Sequence, residues 1–370
     1  MILNIIHCAD IHLDSPFSAF DPIEAQKRRS ALRSVFSSLV LYAKTNKTQL
    51  CLIAGDLFDA LSVTKDTLTM LKKEMASACD CRFIISPGNH DPISSASPYR
   101  LVDWPENVYI FESETVESFD FPEINTTVYG YAFTQEAYNT NPLSNFKVKN
   151  NDRINIMCAH CDLTSSSSKY APVNVNDFAN SGLDYVAMGH IHKATEILSA
   201  GNTLYAYSGC LQGRSFDETG HKGAIAGEIT KEKKTLKHIR FSSKHYETVR
   251  CDVSGMQTFD QAIEKIAGVC KAYDADTLLR IELSGVTGTM FVPDLKAVNE
   301  VCTNVGYIEI KDSTLALLDT DKLKNDKTLA GEFYRSLEDK LTSSDQEQVR
   351  IASMALKYGL MAINGMEIKL

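Results

Sequence analysis

Through the N-terminal two thirds of the chain, short apolar runs alternate with longer amphipathic stretches. Ile2-Leu3-Asn4-Ile5-Ile6, Leu50-Cys51-Leu52-Ile53-Ala54, Phe83-Ile84-Ile85, Ile154-Asn155-Ile156-Met157-Cys158 and Tyr185-Val186-Ala187-Met188 are nearly continuous in apolar residues, as strands buried on both faces are. After the first of them, Asp21-Pro22-Ile23-Glu24 combines an N-cap, a proline at the first helical position and an acid three residues after the cap. A helix is therefore predicted from there to about Lys44, and another near Thr64 to Ala78. This βαβα order predicts a mainly parallel start to an α/β fold. From Tyr205 to Phe241 the strands become short, Gly223 to Ile229 among them, and predict a second sheet packed on the first.

Near His245 the pattern changes. A helix from about Thr258 to Tyr273, a strand at Leu278 to Leu283, a helix near Pro293 to Cys302 and a strand at Tyr307 to Ile310 predict a small α+β module. Thr328 to Ile363 reads as two helices broken at Thr342-Ser343-Ser344-Asp345. Their stripes, Leu329, Phe333, Leu337 and Leu341, then Val349, Met354, Leu356, Leu360 and Met361, need burial against this protein or a partner. The expected division is 1–245, 246–320 and 325–370. Pro92 to Pro105, Asn139 to Asn151 and Thr164 to Lys169 read as polar loops. Trp104 reads as the anchor of the first loop rather than as a substrate-stacking residue, and the serines 165–168 as a candidate flap.

Polar chemistry follows each apolar run: Asp10-Ile11-His12, Gly55-Asp56, Gly88-Asn89-His90-Asp91, His160 and Gly189-His190-Ile191-His192. In open α/β sheets, ligand sites gather at the carboxyl ends of strands. These side chains offer the mixed oxygen and nitrogen donors that two adjacent first-row cations need. Two such ions share a ligand, and a carboxylate is the natural bridge, here Asp56. Asp10, His12 and His192 would complete one site, and Asn89, His160 and His190 the other. His90 is left as a general acid for the leaving oxygen, its ring held by Asp59 or, second, by Asp91. The glycines before Asp56, Asn89 and His190 predict tight turns. A lone histidine after a strand is usually structural, but five fragments in this order point to a two-metal phosphoesterase. Asp14, His7, His221, His238 and His245 match no required role and read as structural.

These fragments resemble the calcineurin-like metallophosphoesterase superfamily. Asp10-Ile11-His12-Leu13-Asp14-Ser15-Pro16-Phe17, Tyr170-Ala171-Pro172, Gly189-His190-Ile191-His192-Lys193 and Tyr207-Ser208-Gly209-Cys210-Leu211-Gln212-Gly213-Arg214 are similar to bacterial DNA-repair exonucleases of the YhaO type, relatives of the SbcD nuclease subunit. The resemblance implies a β-sandwich flanked by helices with an α+β cap that helps select DNA form. It also implies manganese-dependent cleavage of DNA phosphodiesters, with Fe or Zn compatible with the same ligands. A C-terminal helical segment offered to an SbcC-like coiled-coil ATPase is implied too, and a homodimer is left open. Cys161 and Ser208 depart from the family's usual glycine and proline. Ala60 and Leu61 follow Asp59 where protein phosphatases of this fold carry an arginine, which argues against a monoester phosphatase. A small-molecule nucleotide phosphodiesterase and a non-catalytic metal-binding scaffold are the alternatives.

Composition adjusts this picture at three points. The 370 residues exceed one average domain, and no apolar run is long enough to span a bilayer, so a cytoplasmic protein without a membrane partner is expected. Ten cysteines scattered over so long a chain read as reduced thiols, and Cys158 and Cys161 flank His160 without a second pair to make a zinc knuckle. The net charge of −9 sits awkwardly with DNA binding, which rests on neutralising phosphates. The basic cluster Lys231-Glu232-Lys233-Lys234, with Lys237 and Arg240, reads first as a hairpin turn and second as a DNA patch.

Overall fold

The computed structural model describes residues 2–59, 63–289 and 291–365. Ala60 and Leu61, on which the argument against a monoester phosphatase rests, lie outside the described residues, as does the end of the C-terminal segment. The chain forms two compact units, Met1–His245 and Tyr246–Leu370.

The first unit runs β1 (Leu3–Cys8), α1 (Pro22–Thr45), β2 (Leu50–Ile53), α2 (Lys65–Ser77), β3 (Arg82–Ile85) and β4 (Val108–Ile110). It continues with β5 (Glu117–Phe121), β6 (Thr126–Gly130), β7 (Ile154–His160), α3 (Val175–Ala179), β8 (Tyr185–Gly189), β9 (Leu198–Ala200), β10 (Thr203–Tyr207), β11 (Gly223–Ile229) and β12 (Lys234–Arg240). Two six-stranded sheets result, β12-β11-β1-β2-β3-β4 and β5-β6-β7-β8-β10-β9. Strands β1 to β4 are parallel, as are β6, β7, β8 and β10. Ile5, Leu52 and Phe83 share one buried core with Val128, Ile156 and Tyr185. This is the β-sandwich flanked by helices that the sequence led us to expect.

Local signals placed the helices well. Asp21 caps α1 by accepting from Ile23 N and Glu24 N at 2.9 and 3.0 Å, and α1 buries Leu32, Val35, Phe36, Leu39 and Val40. One strand expectation is corrected. β11 does not begin a second sheet but joins the first, antiparallel to β1 with Leu3 opposite Ile229. The second sheet opens earlier, with β5 and β6. Which sheet a strand joins is decided by distant partners, so short-range pattern gave no guide.

Residues 230–233 make the expected hairpin turn, Thr230 N donating to Lys233 O at 2.7 Å. Lys231 and Lys234 both pair with Asp184, at 2.8 and 3.5 Å. Trp104 Nε1 donates to Tyr99 O at 2.8 Å and its ring packs on the core, the contacts of a loop anchor. Asp14 accepts from Thr64 N, Thr64 Oγ1 and Thr67 Oγ1, each at 2.8 Å. His7 is buried between Tyr185 Oη and Met188 O at 2.8 and 3.2 Å. Both are structural. Every cysteine is free, and all but Cys79 are buried.

The second unit contains β13 (His245–Asp252), α4 (Asp260–Cys270), β14 (Thr277–Ser284), β15 (Val286–Thr287), α5 (Leu295–Val301), β16 (Tyr307–Asp312), β17 (Leu315–Ala316), α6 (Thr320–Asn325), α7 (Leu329–Leu341) and α8 (Gln346–Ile363). Its main sheet is β13-β14-β16, with Phe259, Ile266, Leu279, Ile281, Phe291 and Val298 in the core. Tyr334 of α7 and Leu356 and Leu360 of α8 pack with Leu318 and Leu323. Lys357 of α8 donates to Asp312 Oδ2 and Thr314 Oγ1 at 2.5 and 2.6 Å. Most of the C-terminal apolar stripe is thus covered from within this unit, while Leu329 and Ile351 stay exposed. Among the described residues no helix is long and apolar enough to cross a membrane.

Candidate metal centre

The parallel strands of both sheets deliver the polar fragments to one place. Asp10 and His12 follow β1, Asp56 follows β2, and Asn89 and His90 follow β3. His160 ends β7, and His190 and His192 follow β8. Ile11 N and His12 N both donate to Asp56 O at 2.9 and 3.0 Å, and Asp10 N to Gly55 O at 3.1 Å. From the other sheet, His190 N donates to both carboxylate oxygens of Asp10, at 3.1 and 3.2 Å. Asp10, His12, Asp56 and His190 have φ of 51, 48, 50 and 104°, a conformation costing a non-glycine residue about 1–2 kcal/mol. The inter-loop hydrogen bonds hold it in place.

Gly55 serves a turn as expected, while Gly88 and Gly189 serve packing. Gly55 has φ of 90°, and a Cβ there would lie 2.2 Å from His160 Nδ1. At Gly88 the φ is ordinary, but a Cβ would meet Asp56 Oδ1 at 2.3 Å. At Gly55 and Gly88 the close approach is to side chains of the site, and at Gly189 it is to the Ala54 carbonyl oxygen, 1.8 Å from where a Cβ would stand.

Donor atoms converge without protons to satisfy them. His160 Nδ1 donates to Ala54 O at 3.0 Å, which leaves Nε2 bare, 2.9 Å from Asn89 Oδ1 and 3.5 Å from Asp56 Oδ2. His12 Nδ1 lies 2.9 Å from Asp59 Oδ1, and His192 Nδ1 lies 2.6 Å from Glu218 Oε1. Their Nε2 atoms then face each other at 3.2 Å, with Asp56 Oδ2 3.7 Å from the first and Asp10 Oδ1 3.8 Å from the second. One proton cannot serve so many acceptors, whereas a cation about 2.0–2.2 Å from each donor can. Ligand atoms of Asp10, His12 and His192, of Asp10, Asp56 and His160, and of His12, Asp56 and His90 form groups within 4.8 Å. His190 joins none of these groups; its ring lies 5.2 Å from that of His160 and 4.8 Å from that of Tyr170.

Electrostatics agree with this fit. Burial pushes His12 down to about 4, His160 to about 3 and His190 to about 4, so these imidazoles are neutral, the ligating form, at neutral pH. Burial, reinforced by the Asp56 carboxylate, pushes Asp10 up to about 8 even though His192 opposes it. A buried carboxylate in that position asks for a positive neighbour. Burial disfavours charge on His192, but the Glu218 hydrogen bond and the charges of Asp10 and Glu218 together outweigh it and raise the imidazole.

The expected support of His90 needs correction. The Asp59 carboxylate is 3.9 Å from His90 Nδ1 but 2.9 Å from His12 Nδ1. It also accepts from Arg214 Nη1 at 2.7 Å and Ser15 Oγ at 3.1 Å. Against burial, these contacts hold Asp59 down to about 2, His12 contributing most. What holds His90 is the Asp59 main-chain carbonyl, 3.2 Å from Nδ1. Asp91, the second choice, is an internal brace that accepts from Gly88 N, Phe58 N and Tyr99 Oη at 2.7, 3.1 and 2.5 Å. His90 is itself half exposed in a cleft of about 530 Å³ lined also by Asn89, Gln135, Glu136 and Tyr170.

Two supporting residues escaped sequence reasoning. Arg214 ends a stretch noticed only for its resemblance, and Glu218 lies four residues beyond it in a loop without periodicity. Glu218 Oε2 accepts from Arg214 N at 2.7 Å, and Arg214 Nη2 lies 3.3 Å from Oε1. One guanidinium therefore joins the carboxylates behind His12 and His192. The Arg214/Glu218 spacing was the only local signal.

Sandwich, strand-end ligands and oriented imidazoles together define a class, the metal-dependent hydrolases of phosphoester bonds. Residues 3–194, just over half of the chain, match the calcineurin-like phosphoesterase family, and the chain belongs to it. Over 297 residues it is 29% identical to the uncharacterised metallophosphoesterase YhaO of Bacillus subtilis (strain 168), spanning 76% of this chain and 72% of that protein. Over 134 residues it is 33% identical to a probable cyclic nucleotide phosphodiesterase of Coxiella burnetii (strain RSA 493 / Nine Mile phase I), spanning 35% of this chain and 47% of that one.

Proposed function

We propose that this protein is a two-metal phosphodiesterase that cleaves the DNA backbone, the nuclease subunit of a repair or end-processing system. The observation that carries the two-metal reading is the position of Asp56 Oδ2, 3.7 Å from His12 Nε2 and 3.5 Å from His160 Nε2, as a shared ligand requires. Asp10, His12 and His192 would hold one ion and Asn89, His160 and His190 the other, with Asp56 as the ligand they would share. The neutral Asn89 limits negative charge beside an anionic substrate. Two divalent ions bound there, Mn²⁺ first and Fe or Zn on the same donors, would supply Lewis-acid stabilisation of the phosphoryl oxygens and a lowered pKa for the attacking water.

The protein's own residues do the rest. Asp59 and Glu218 fix the tautomers of His12 and His192, and the Ala54 carbonyl fixes that of His160, so each presents Nε2. His90, whose Nδ1 meets the Asp59 carbonyl, hands a proton from Nε2 to the leaving oxygen. The half-exposed rim supports a substrate that runs past the site, and the DNA reading further assigns the second unit to selecting DNA form. It assigns the exposed Leu329 and Ile351 to an ATPase partner.

A second reading, hydrolysis of a small nucleotide diester, is favoured by the similarity to the Coxiella burnetii protein. Hydrolysis of labelled linear DNA beside bis-p-nitrophenyl phosphate, with Mn²⁺, separates the two. Cleavage of both supports the nuclease; cleavage of the small diester alone, with DNA intact, supports the second reading.

A further inference from the structure

A second cleft in the first unit, of about 450 Å³, is lined by Lys193, Lys222 and Arg240 together with His221, His238 and Thr219. It lies beside the metal centre. Lys193 follows His192, and Cys210, which also lines the cleft, donates its N–H to His192 O at 3.1 Å. Register explains why the cations meet here. β11 runs antiparallel to β1, so Gly223 stands at the end where β1 delivers Asp10, and Gly223 pairs with Arg240 of β12.

The charges in this cleft are uncompensated. The lysines at the opposite end of β12 are tied to Asp184, and among the described residues Lys193, Lys222 and Arg240 form no ion pair. No carboxylate lines the cleft. On a chain of net charge −9, three cations gathered without acids mark a place for an anion.

Building on the DNA reading, we propose that this cleft is a phosphate subsite that holds the substrate's backbone on the His192 side of the metal centre, away from the scissile bond. Phosphate contacts position a nucleic acid without reading its sequence, and the clustering resolves how an acidic protein binds a polyanion. His238 is already committed, its Nε2 donating to Thr195 O at 2.8 Å. The lysines and Arg240 therefore supply the charge.

The test is anisotropy of a labelled single-stranded phosphorothioate oligonucleotide with the full-length protein in Mn²⁺ over a range of salt, run beside hydrolysis of bis-p-nitrophenyl phosphate. Lys222→Ala with Arg240→Ala is expected to weaken binding for any sequence and to make the slope of log affinity against log salt shallower by about 1.4, at about 0.7 per phosphate contact on a single strand. Hydrolysis of the small diester stays unchanged, and Lys222→Arg with Arg240→Lys restores binding. Unchanged affinity and slope overturn the subsite, and the nuclease reading survives if the wild type cuts DNA. A wild type that hydrolyses the diester but neither binds nor cuts DNA overturns both. Should the double variant lose diester hydrolysis, Arg240→Ala alone decides, with an expected change of about 0.7 against none.

Discussion

Replacing Glu218 with glutamine tests the candidate metal centre at a residue outside both proposed ligand sets. Glu218 Oε1 lies 2.6 Å from His192 Nδ1 and Oε2 accepts from Arg214 N at 2.7 Å. Glutamine has the same shape but only one acceptor oxygen. If it accepts from His192 its amide group faces the Arg214 N–H, and if it accepts from Arg214 it faces the His192 N–H. One hydrogen bond to a charged acceptor is lost in either case, worth about 1.5–3 kcal/mol, or about 10- to 150-fold in an equilibrium constant. That range agrees with the 10- to 100-fold typical of residues supporting a metal ligand. The expected result, by calorimetric titration of Mn²⁺ into metal-stripped protein, is an ion bound about 10- to 100-fold more weakly at the Asp10, His12 and His192 site. The other ion, whose His160 is held by a main-chain carbonyl, keeps its affinity. Equal weakening of both ions, or of neither, refutes the assignment of His192 to one site and of Glu218 as its support.

His90→Asn should retain both ions by elemental analysis while turnover of a diester falls about 10²- to 10⁴-fold; unchanged turnover removes His90 from the reaction. Gly88→Ala places a methyl 2.3 Å from Asp56 Oδ1, so loss of both ions and destabilisation by about 1–3 kcal/mol in urea unfolding are expected. Asp14→Ala strips the acceptors from Thr64 and Thr67, so it should lower stability by about 1–3 kcal/mol and leave metal stoichiometry untouched. Chelation should lower the melting temperature, because an ion at 100 times its Kd contributes about 2.7 kcal/mol to the folded state; a melting curve indifferent to chelator and to added Mn²⁺ contradicts a built metal site.

The residues that converge on the candidate metal centre were legible because each closes an apolar run. Asp10, Asp56, His160 and His190 needed only the inference that buried strands end where sites form. Helix starts were legible for a similar reason, since Asp21 and Thr64 cap within three residues of themselves. What failed depended on distance in space. β11 looks like any half-buried strand, and its partner β1 lies over two hundred residues away. Asp59 sits three residues from Asp56, yet its side chain turns to the buried His12 and only its carbonyl meets His90. No spacing encodes that choice, because it depends on where Arg214 and Ser15 come to rest.

The supports make the two halves of the site unequal. His12 and His192 are backed by carboxylates, and both acids are held well down, Asp59 to about 2 and Glu218 to about 2. They remain charged, each opposed by burial and rescued by its imidazole and by Arg214. His160 is backed by a neutral carbonyl, and Asn89 beside it carries no charge. A carboxylate behind an imidazole raises its basicity as a ligand, so the half built on β1 is the stronger donor set. Arg214 prevents that half from becoming too negative, since its single charge lies between both acids. The half built on β3 and β7 is left weaker and more neutral, and its Asn89 lines the open cleft together with His90, where an anionic phosphoryl group would enter. An ion there, with Asp56 as its one carboxylate beside the neutral Asn89, His160 and His190, would keep more of its charge for the substrate.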